Sequence, residues 1–492
     1  NKTKERLKNW LDNKYNLYIV FIIFIGTIIR VYYFIITKDQ AHWWDTLAYG
    51  SLAKDMIYGH WSNLLIHENT IRPPLLPILW SLLLRLNIGD YGAIIILEII
   101  PSIVSIYLIY LIGRELYNEK IGLLSATILS ISWIHIFYTM RIMTDVTSFF
   151  LSLLSIYFFI KTYEKINTKM FALSILFLSL ATLMRYSHGL IGFCYIIFLL
   201  FIHRSKLFKE RKFWIGGILG VTPILMFFII NILVHGSFFP AVSSYAADST
   251  TKPFAFYVLN FIPYLILKIF LVSFIIGSII VLLETISTYD RSLEIKKMKS
   301  NLFLLLIFFI NLIFFIFIIK AAEDRYLIII FPTLLIFSSL GINEVYMHIK
   351  KNSRKLATLF LIIIISFGAY SNLTFANKLI EDKKTSYLPL KDAFLWLKEN
   401  TKENEKILGY YTGLYTIYYT EREIENYPEN FSELSSFYPK ANYLVVTSLH
   451  EQSESINNYI QNNLSKNLSL AKVFFFDEAQ TQPAAIIYKI AH

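Results

Sequence analysis

The sequence predicts an α-helical polytopic membrane protein with a small α/β domain at its C-terminal end. Three observations predict this fold class. Of the 492 residues, 55% are hydrophobic and 16% are charged, whereas an average soluble chain carries about 25% charged residues. The mean hydropathy is +0.52. The apolar residues form long runs up to about residue 374, after which polar residues return. This composition excludes a soluble globule, a disordered chain and a disulfide scaffold.

Runs of about 20 apolar residues can cross a bilayer as helices. We predict about 11 such spans, and the pattern allows 11–13. They lie at 17–37, 91–113, 121–139, 145–162, 170–184, 186–202, 213–234, 262–284, 301–319, 326–347 and 355–374. A further apolar stretch at 75–86 is too short to span and is expected at the membrane interface.

Lysine and arginine set the expected orientation. They are concentrated in the N-terminal tail and in alternate short loops, which the positive-inside rule assigns to the cytoplasm. An odd number of spans then places residues 375–492 outside. The net charge of +11 therefore reflects topology, and no nucleic acid is expected as a partner. The isoleucine- and lysine-rich composition favours a prokaryotic plasma membrane.

We expect two domains. Residues 1–374 form the transmembrane domain, with a long first extracytosolic loop at 38–74, and residues 375–492 form the extracytosolic α/β domain. In the second domain the pattern predicts a helix and a strand within 388–412, a strand within 441–448, a helix within 453–468 and a closing strand pair at 471–477 and 484–490.

Asp45 is the most informative residue of the first loop. It lies just beyond the first span, next to Trp43 and Trp44, and the residues that follow predict a helix at 46–58 along the membrane surface. A carboxylate in this position can take a proton from an incoming hydroxyl, and its aromatic neighbours suit stacking on a sugar. The alternative is a solvated loop acid beside an ordinary aromatic belt.

Four arginines lie at predicted outer ends of spans: Arg72, Arg141, Arg185 and Arg325. The planar guanidinium binds phosphate through two parallel hydrogen bonds, so the set is interpreted as meeting one anionic group. Two alternatives stay open. The arginines could extend towards lipid headgroups, or they could pair within the protein with Asp145, Glu323 or Asp324.

Other ionisable residues give weaker signals. Arg30 and Glu98 lie within the first two spans, where such groups usually face the bundle interior. His42, His60 and His67 share the first loop with Asp45 and Glu68 but lack metal-ligand spacing, so no cofactor is predicted and a divalent metal is not supported. The single cysteine, Cys194, excludes an intramolecular disulfide.

The order of several short motifs resembles the GT-C superfamily of membrane glycosyltransferases, in particular the branch of the protein O-mannosyltransferases and the lipid A aminoarabinose transferase. These motifs are Arg30, the D-x-x-x-Y of Asp45–Tyr49, the Arg-Pro-Pro-Leu of residues 72–75, LATLMRYSHGL at 180–190 and EDRYLIIIFP at 323–332. Many relatives have Asp-Glu where this chain has Asp45-Thr46, and lysine where it has Arg72.

The resemblance implies a glycosyltransferase that takes a sugar from a polyprenyl-phosphate donor and passes it to a lipid, glycan or protein acceptor outside the membrane. It implies Asp45 as the catalytic base and Arg72 as a ligand of the donor phosphate. The residues themselves add Arg185 and Arg325 as phosphate ligands, with Asp145, Arg141 and Glu323 as secondary choices. Trp44 and Tyr49 are the expected sugar or acceptor contacts, and membrane lipids are expected around the spans.

Two other function classes are compatible with many spans. A transporter or flippase of a lipid-linked saccharide would share interior arginines and a cationic cavity, but it would not need an α/β domain or a long first loop with an acid between aromatics. A non-catalytic membrane scaffold or receptor does not account for charged residues at one side of the bundle.

Overall fold

The computed structural model describes residues 12–238, 240, 253–288, 296–319, 323–409, 412–422, 424–426, 441–449, 454–464 and 466–491. Contacts divide the chain into two units. Unit 1 comprises Asn1–Ile35, Ser62–Leu79 and Ile88–Asn377, and unit 2 comprises Ile36–Trp61, Trp80–Asn87 and Lys378–His492. The division near residue 377 lies close to the predicted domain boundary at 374. Part of the first loop, however, belongs to the same unit as the C-terminal residues.

The longer helices are numbered here in chain order. They are α1 Lys14–Thr37, α2 Trp44–Ile57, α3 Leu75–Arg85, α4 Asp90–Leu116, α5 Glu119–Ile131, α6 Trp133–Thr139, α7 Asp145–Ile160, α8 Thr168–Met184, α9 Leu190–His203, α10 Arg211–His235, α11 Ile262–Thr288, α12 Lys296–Phe314, α13 Phe331–Asn352, α14 Arg354–Lys384, α15 Leu388–Asn400 and α16 Glu454–Asn463.

Among the described residues, eight helices are long and apolar enough to cross a membrane, and a ninth span results if α5 and α6 are counted as one. Those two helices meet at an angle of 54°. Helices α7 and α8 are apolar but contain only 16 and 17 residues. Each of the eleven predicted apolar runs coincides over most of its length with one or two of these helices. The multi-pass helical fold is confirmed, whereas the number of spans stays a prediction.

Helix α13 lies in the core of unit 1, since eleven of its residues between Phe331 and Ile342 are buried. It crosses α11 at two glycines. A Cβ atom on Gly277 would collide with the carbonyl oxygen of Phe337, and one on Gly341 would collide with the carbonyl of Ser273. Small residues allow membrane helices to pack backbone against backbone, so these glycines permit the close contact between α11 and α13.

Unit 2 contains a five-stranded sheet in the order β2-β1-β3-β5-β4. Its strands are β1 Ile407–Gly409, β2 Ile424–Asn426, β3 Tyr443–Thr447, β4 Leu468–Phe475 and β5 Pro483–Ile490. Strand β1 is parallel to β2 and β3, while β5 is antiparallel to β3 and β4. The predicted helices and strands of the C-terminal region, including the closing strand pair, are all present.

The first-loop helix α2 is confirmed, but one of its faces packs within unit 2. Gly50 lies so close to Tyr418 and Trp80 that a Cβ atom would collide with the Tyr418 ring. The ammonium group of Lys54 donates to the carbonyl of Tyr418 at 2.7 Å and pairs with Glu421 at 2.9 Å. Residues 415–421 therefore cover a helix that the sequence pattern placed along the membrane surface.

Candidate functional site

Arg185 is held in place by an ion pair inside unit 1. Helix α8 ends at Met184, and Arg185 follows in an extended conformation with φ −156° and ψ 113°. Its Nη1 donates to Asp145 Oδ1 at 2.5 Å and to Thr144 Oγ1 at 3.3 Å. The Asp145 side chain is fully buried and begins α7, where the partial positive charge of a helix N-terminus also stabilises a carboxylate.

The ion pair leaves one edge of the Arg185 guanidinium available. Among the described residues, Nε and Nη2 of Arg185 make no hydrogen bond, since both of its bonds run through Nη1. These two nitrogens form the side-on fork that binds two oxygens of a phosphate in parallel. The side chain is 13% exposed. Asp145 thus fixes an arginine whose anion-binding edge stays open.

Arg185 and Arg325 lie beside the same aromatic ring. Their guanidinium carbons are 5.1 Å and 5.7 Å from the centre of the Tyr326 ring. Arg325 also pairs with Glu323 through Nε at 2.6 Å. The turn that carries it is held by Asp324, which accepts hydrogen bonds from the Arg325 backbone N–H at 2.8 Å and the Tyr138 hydroxyl at 2.6 Å. Two of the four predicted arginines are therefore brought together.

Arg72 lies on a segment that touches the Arg185 segment. It follows the 3₁₀ turn His67–Ile71 and is half-buried. The hydroxyl of Tyr186, the residue after Arg185, donates to the carbonyl of Thr70 at 3.1 Å. Thr70, two residues before Arg72, is therefore in contact with the residue that follows Arg185.

Arg141 has a different environment. It is 4% exposed, its Nη1 donates to the carbonyl of Phe137 at 2.9 Å, and its guanidinium carbon lies 4.1 Å from the centre of the Phe137 ring. Arg141 therefore binds the C-terminal turn of α6, where a cation complements the helix dipole.

The ion-pair alternative that the sequence left open is confirmed for two arginines, Arg185 with Asp145 and Arg325 with Glu323. In the case of Arg185 it does not exclude phosphate binding, because the pair engages one nitrogen only. Glu323 remains half exposed, with 50% of its side-chain surface accessible.

Asp45 belongs to unit 2 and lies in the first turn of α2. It is half-buried. Trp44 packs edge-on against Tyr415 at a ring distance of 5.6 Å, and Tyr49 is 7% exposed. Both aromatic residues therefore take part in packing, and the catalytic role of Asp45 stays a prediction.

Several residues of the site were not predicted from the sequence. Tyr326 could have been found, because it follows Arg325 in the EDRYLIIIFP segment. Thr144 and Tyr138 carry no such signal. Tyr138 lies in α6 and Thr144 in the irregular segment that follows it, and their partners in the site, Asp324 and Arg185, are distant in sequence.

A family model described as "Dolichyl-phosphate-mannose-protein mannosyltransferase" matches residues 71–230, about a third of the chain. The match includes Arg72, Arg141, Asp145 and Arg185. The fold matches that of ArnT from Cupriavidus metallidurans bound to undecaprenyl phosphate, with a TM-score of 0.63 and 9% identity over 95% of this chain and 97% of that one.

Two structures of the oligosaccharyltransferase of Archaeoglobus fulgidus show the same fold. The AglB complex with an inhibitory peptide and a dolichol-phosphate gives a TM-score of 0.60 at 11% identity, covering 96% of this chain and 74% of that chain. A complex with Zn and sulfate gives 0.58 at 12%, covering 87% and 68%. A comparison with curated protein sequences finds no match. The predicted resemblance to the mannosyltransferase and aminoarabinose transferase branch is confirmed, by the family model over residues 71–230 and by the shared fold.

Proposed function

We propose that this protein is a GT-C glycosyltransferase, which transfers a sugar from a polyprenyl-phosphate donor to a lipid, glycan or protein acceptor on the extracytosolic side of the membrane. The observation that carries the proposal is the arrangement of Arg185. Asp145 orients it, its side-on fork makes no hydrogen bond among the described residues, and Arg325 lies beside the same Tyr326 ring.

The chemistry of the donor fits this arrangement. When the sugar leaves a polyprenyl phosphate, the phosphate oxygen gains negative charge. Fixed cations in a site with little water stabilise that charge more strongly in the transition state than flexible cations in water. Since the ion pair with Asp145 restrains Arg185 before the donor arrives, little orientational freedom is lost on binding.

The finer assignments are part of the proposal. Arg72 binds the donor phosphate together with Arg185 and Arg325, and Asp45 removes the proton from the acceptor. Trp44 and Tyr49 contact the sugar or the acceptor. The two lipid phosphates bound in the solved ArnT and AglB complexes support a lipid phosphate as the ligand, and the cation distribution supports a cytoplasmic N-terminus.

Binding of undecaprenyl phosphate tests the phosphate site without knowledge of the sugar. The purified protein in lipid nanodiscs is titrated with undecaprenyl phosphate and, separately, with undecaprenol, which lacks the phosphate. We expect the phosphate to bind at least tenfold more tightly, and Arg72→Ala and Arg185→Ala to remove most of the difference. Arg72→Lys should retain part of the affinity because it keeps the charge and loses the fork.

Arg114→Ala is the matched control, since Arg114 also lies near the end of a span but pairs with Glu115 in the segment that is predicted to face the cytoplasm. Equal affinity for undecaprenyl phosphate and undecaprenol would contradict the proposal. Proteoliposomes that move a fluorescent lipid-linked saccharide across the bilayer without cleaving it would instead support the flippase.

A further inference from the structure

The chain between α5 and α7 is irregular inside the helical bundle. The break between α5 and α6 falls at Ser132, which is extended with ψ 122°, and the helical path bends there by 54°. After α6 ends at Thr139, residues 140–144 lead to Asp145 without forming a helix. This segment, residues 132–144, therefore positions the carboxylate that holds Arg185.

Arg30 of α1 holds the beginning of segment 132–144. It is fully buried, and its guanidinium donates to the carbonyl of Ser130 at 2.7 Å, to Ser102 Oγ at 2.8 Å and to His135 Nδ1 at 3.0 Å. The described residues include no carboxylate within ion-pair distance of Arg30. Its charge is balanced by the partial negative charge of the carbonyls at the end of α5.

Glu98 of α4 holds the other end of the segment. Its Oε1 accepts a hydrogen bond from the backbone N–H of Met143 at 3.0 Å, two residues before Asp145. Glu98 lies in the π-helical turn Ile95–Ile99, and the hydroxyl of Thr147 donates to the carbonyl of Leu97 in the same turn. Both contacts tie the N-terminus of α7 to one turn of α4.

Burying the Glu98 side chain costs free energy, and packing alone does not explain why an acid is present there. Its side chain is fully buried, and within the described part of the chain its Oε2 has no hydrogen-bond partner. An acid inside a membrane bundle is costly, and a leucine of similar size would fill the space without that cost. What Glu98 provides and leucine cannot is the hydrogen bond that fixes the Met143 backbone.

We propose that Glu98 is a positioning residue for the reaction. It fixes the backbone ahead of Asp145, and through Asp145 it sets the direction of the Arg185 fork, while Arg30 fixes the opposite end of segment 132–144. This inference rests on the proposed function, because it assigns Arg185 to the donor phosphate. Displacing a site group by about 1 Å can cost about 100-fold in rate.

Two variants of Glu98 separate the hydrogen bond from the charge. Glu98→Gln keeps an oxygen that can accept from Met143, and Glu98→Leu removes it. Hydrogen–deuterium exchange of the Met143 amide in nanodiscs measures the contact independently of any activity. We expect Glu98→Leu to speed exchange about tenfold or more, and Glu98→Gln to exchange like the wild type.

Donor kinetics, with polyprenyl-phosphate mannose as the first probe, measure the consequence. We expect Glu98→Leu to lower kcat/KM about 10- to 100-fold, mainly through the donor KM, and Glu98→Gln to restore most of it. Ser155→Ala is the matched control, since it removes a buried 2.8 Å hydrogen bond to Tyr195 from the same helix α7 far from segment 132–144. It should leave both measurements unchanged.

Unchanged exchange in Glu98→Leu, or faster exchange with an unchanged donor KM, would overturn the inference. If Glu98→Leu does not fold, Thr147→Val tests the second contact to the same turn. It should also speed exchange of the Met143 amide and raise the donor KM, and the absence of either effect would overturn the inference. A wild-type protein that transfers no sugar from any polyprenyl phosphate would defeat the proposed function instead, and the exchange data would still decide whether Glu98 fixes segment 132–144.

Discussion

Unit 1 contains a set of buried charged residues, whereas unit 2 contains a charged cluster that is partly exposed to solvent. In unit 1, Arg30, Glu98, Arg141 and Asp145 are all less than 5% exposed, and each is held by backbone groups, by a helix end or by one ion pair. In unit 2, Lys54, Lys398 and Glu421 form a cluster whose side chains are 20%, 41% and 31% exposed. Water screens the second set and cannot reach most of the first.

This difference separates charged residues that are expected to have a structural or binding role from charged residues that are expected to matter little. A buried charge inside a membrane bundle is retained against a large desolvation cost, so each one is expected to orient another group or to bind a ligand. A half-exposed cluster contributes little to stability. The four predictions below test this contrast, beginning with the largest expected effect.

Asp45→Asn should reduce turnover by about 10²–10⁴-fold, because it removes a general base while keeping the shape of the side chain. Affinity for undecaprenyl phosphate should stay unchanged, since the arginines remain. The rate of sugar release from the polyprenyl-phosphate donor and the binding titration measure the two quantities. Transfer at the wild-type rate would show that Asp45 is not the catalytic base.

Asp145→Ala should destabilise unit 1 by about 3–5 kcal/mol, because it leaves Arg185 as a largely buried charge without its carboxylate. Thermal unfolding in detergent, followed by tryptophan fluorescence, measures the loss. Glu115→Ala is the control: Glu115 is 24% exposed and pairs with Lys161 at 2.7 Å. If both variants unfold at the same temperature, removing a buried carboxylate costs no more stability than removing a partly exposed one, and the contrast fails.

Arg30→Met should destabilise the protein by about 2–3 kcal/mol. Methionine fills the space but leaves the carbonyls of Leu129 and Ser130 without the donor that now reaches them. The unfolding temperature of the variant should fall below that of Arg114→Met, which changes an arginine near the end of α4. A stability equal to that of Arg114→Met would mean that the hydrogen bonds from Arg30 to the end of α5 do not stabilise the fold.

Glu421→Gln should change stability by less than about 1 kcal/mol, and only in a defined pH range. Burial raises the pKa of Glu421, but the hydrogen bonds and charges of Lys54 and Lys398 outweigh burial and hold the pKa below its usual value. A lowered pKa in the folded state stabilises the fold above the unfolded pKa of about 4.3, and that stability is lost as the pH falls.

Melting temperatures of wild type and Glu421→Gln, recorded between pH 7 and pH 3, measure this effect. The curves should differ slightly at pH 7 and converge at pH 3. A difference that grows as the pH falls would mean that the pKa of Glu421 is raised in the folded protein.

Much of the fold follows from local sequence. The apolar runs predict the helices because hydropathy acts over about 20 consecutive residues, and short runs of β-branched and aromatic residues are enough to predict β3, β4 and β5. The covered face of α2 was not predictable. Its partner Tyr418 lies 364 residues after Lys54, and no local pattern shows which distant segment will cover an amphipathic helix.

For the site, the sequence by itself determined which residues can bind phosphate: arginines near the ends of spans, in a chain that has few other cations there. It left open whether they bind a ligand or pair within the protein. Only the tertiary structure showed that Arg185 pairs within the protein, with Asp145, 40 residues away. Phosphate binding at its other edge stays a proposal. The physical reason is that a guanidinium has two edges, and only the three-dimensional fold determines which neighbour occupies each edge.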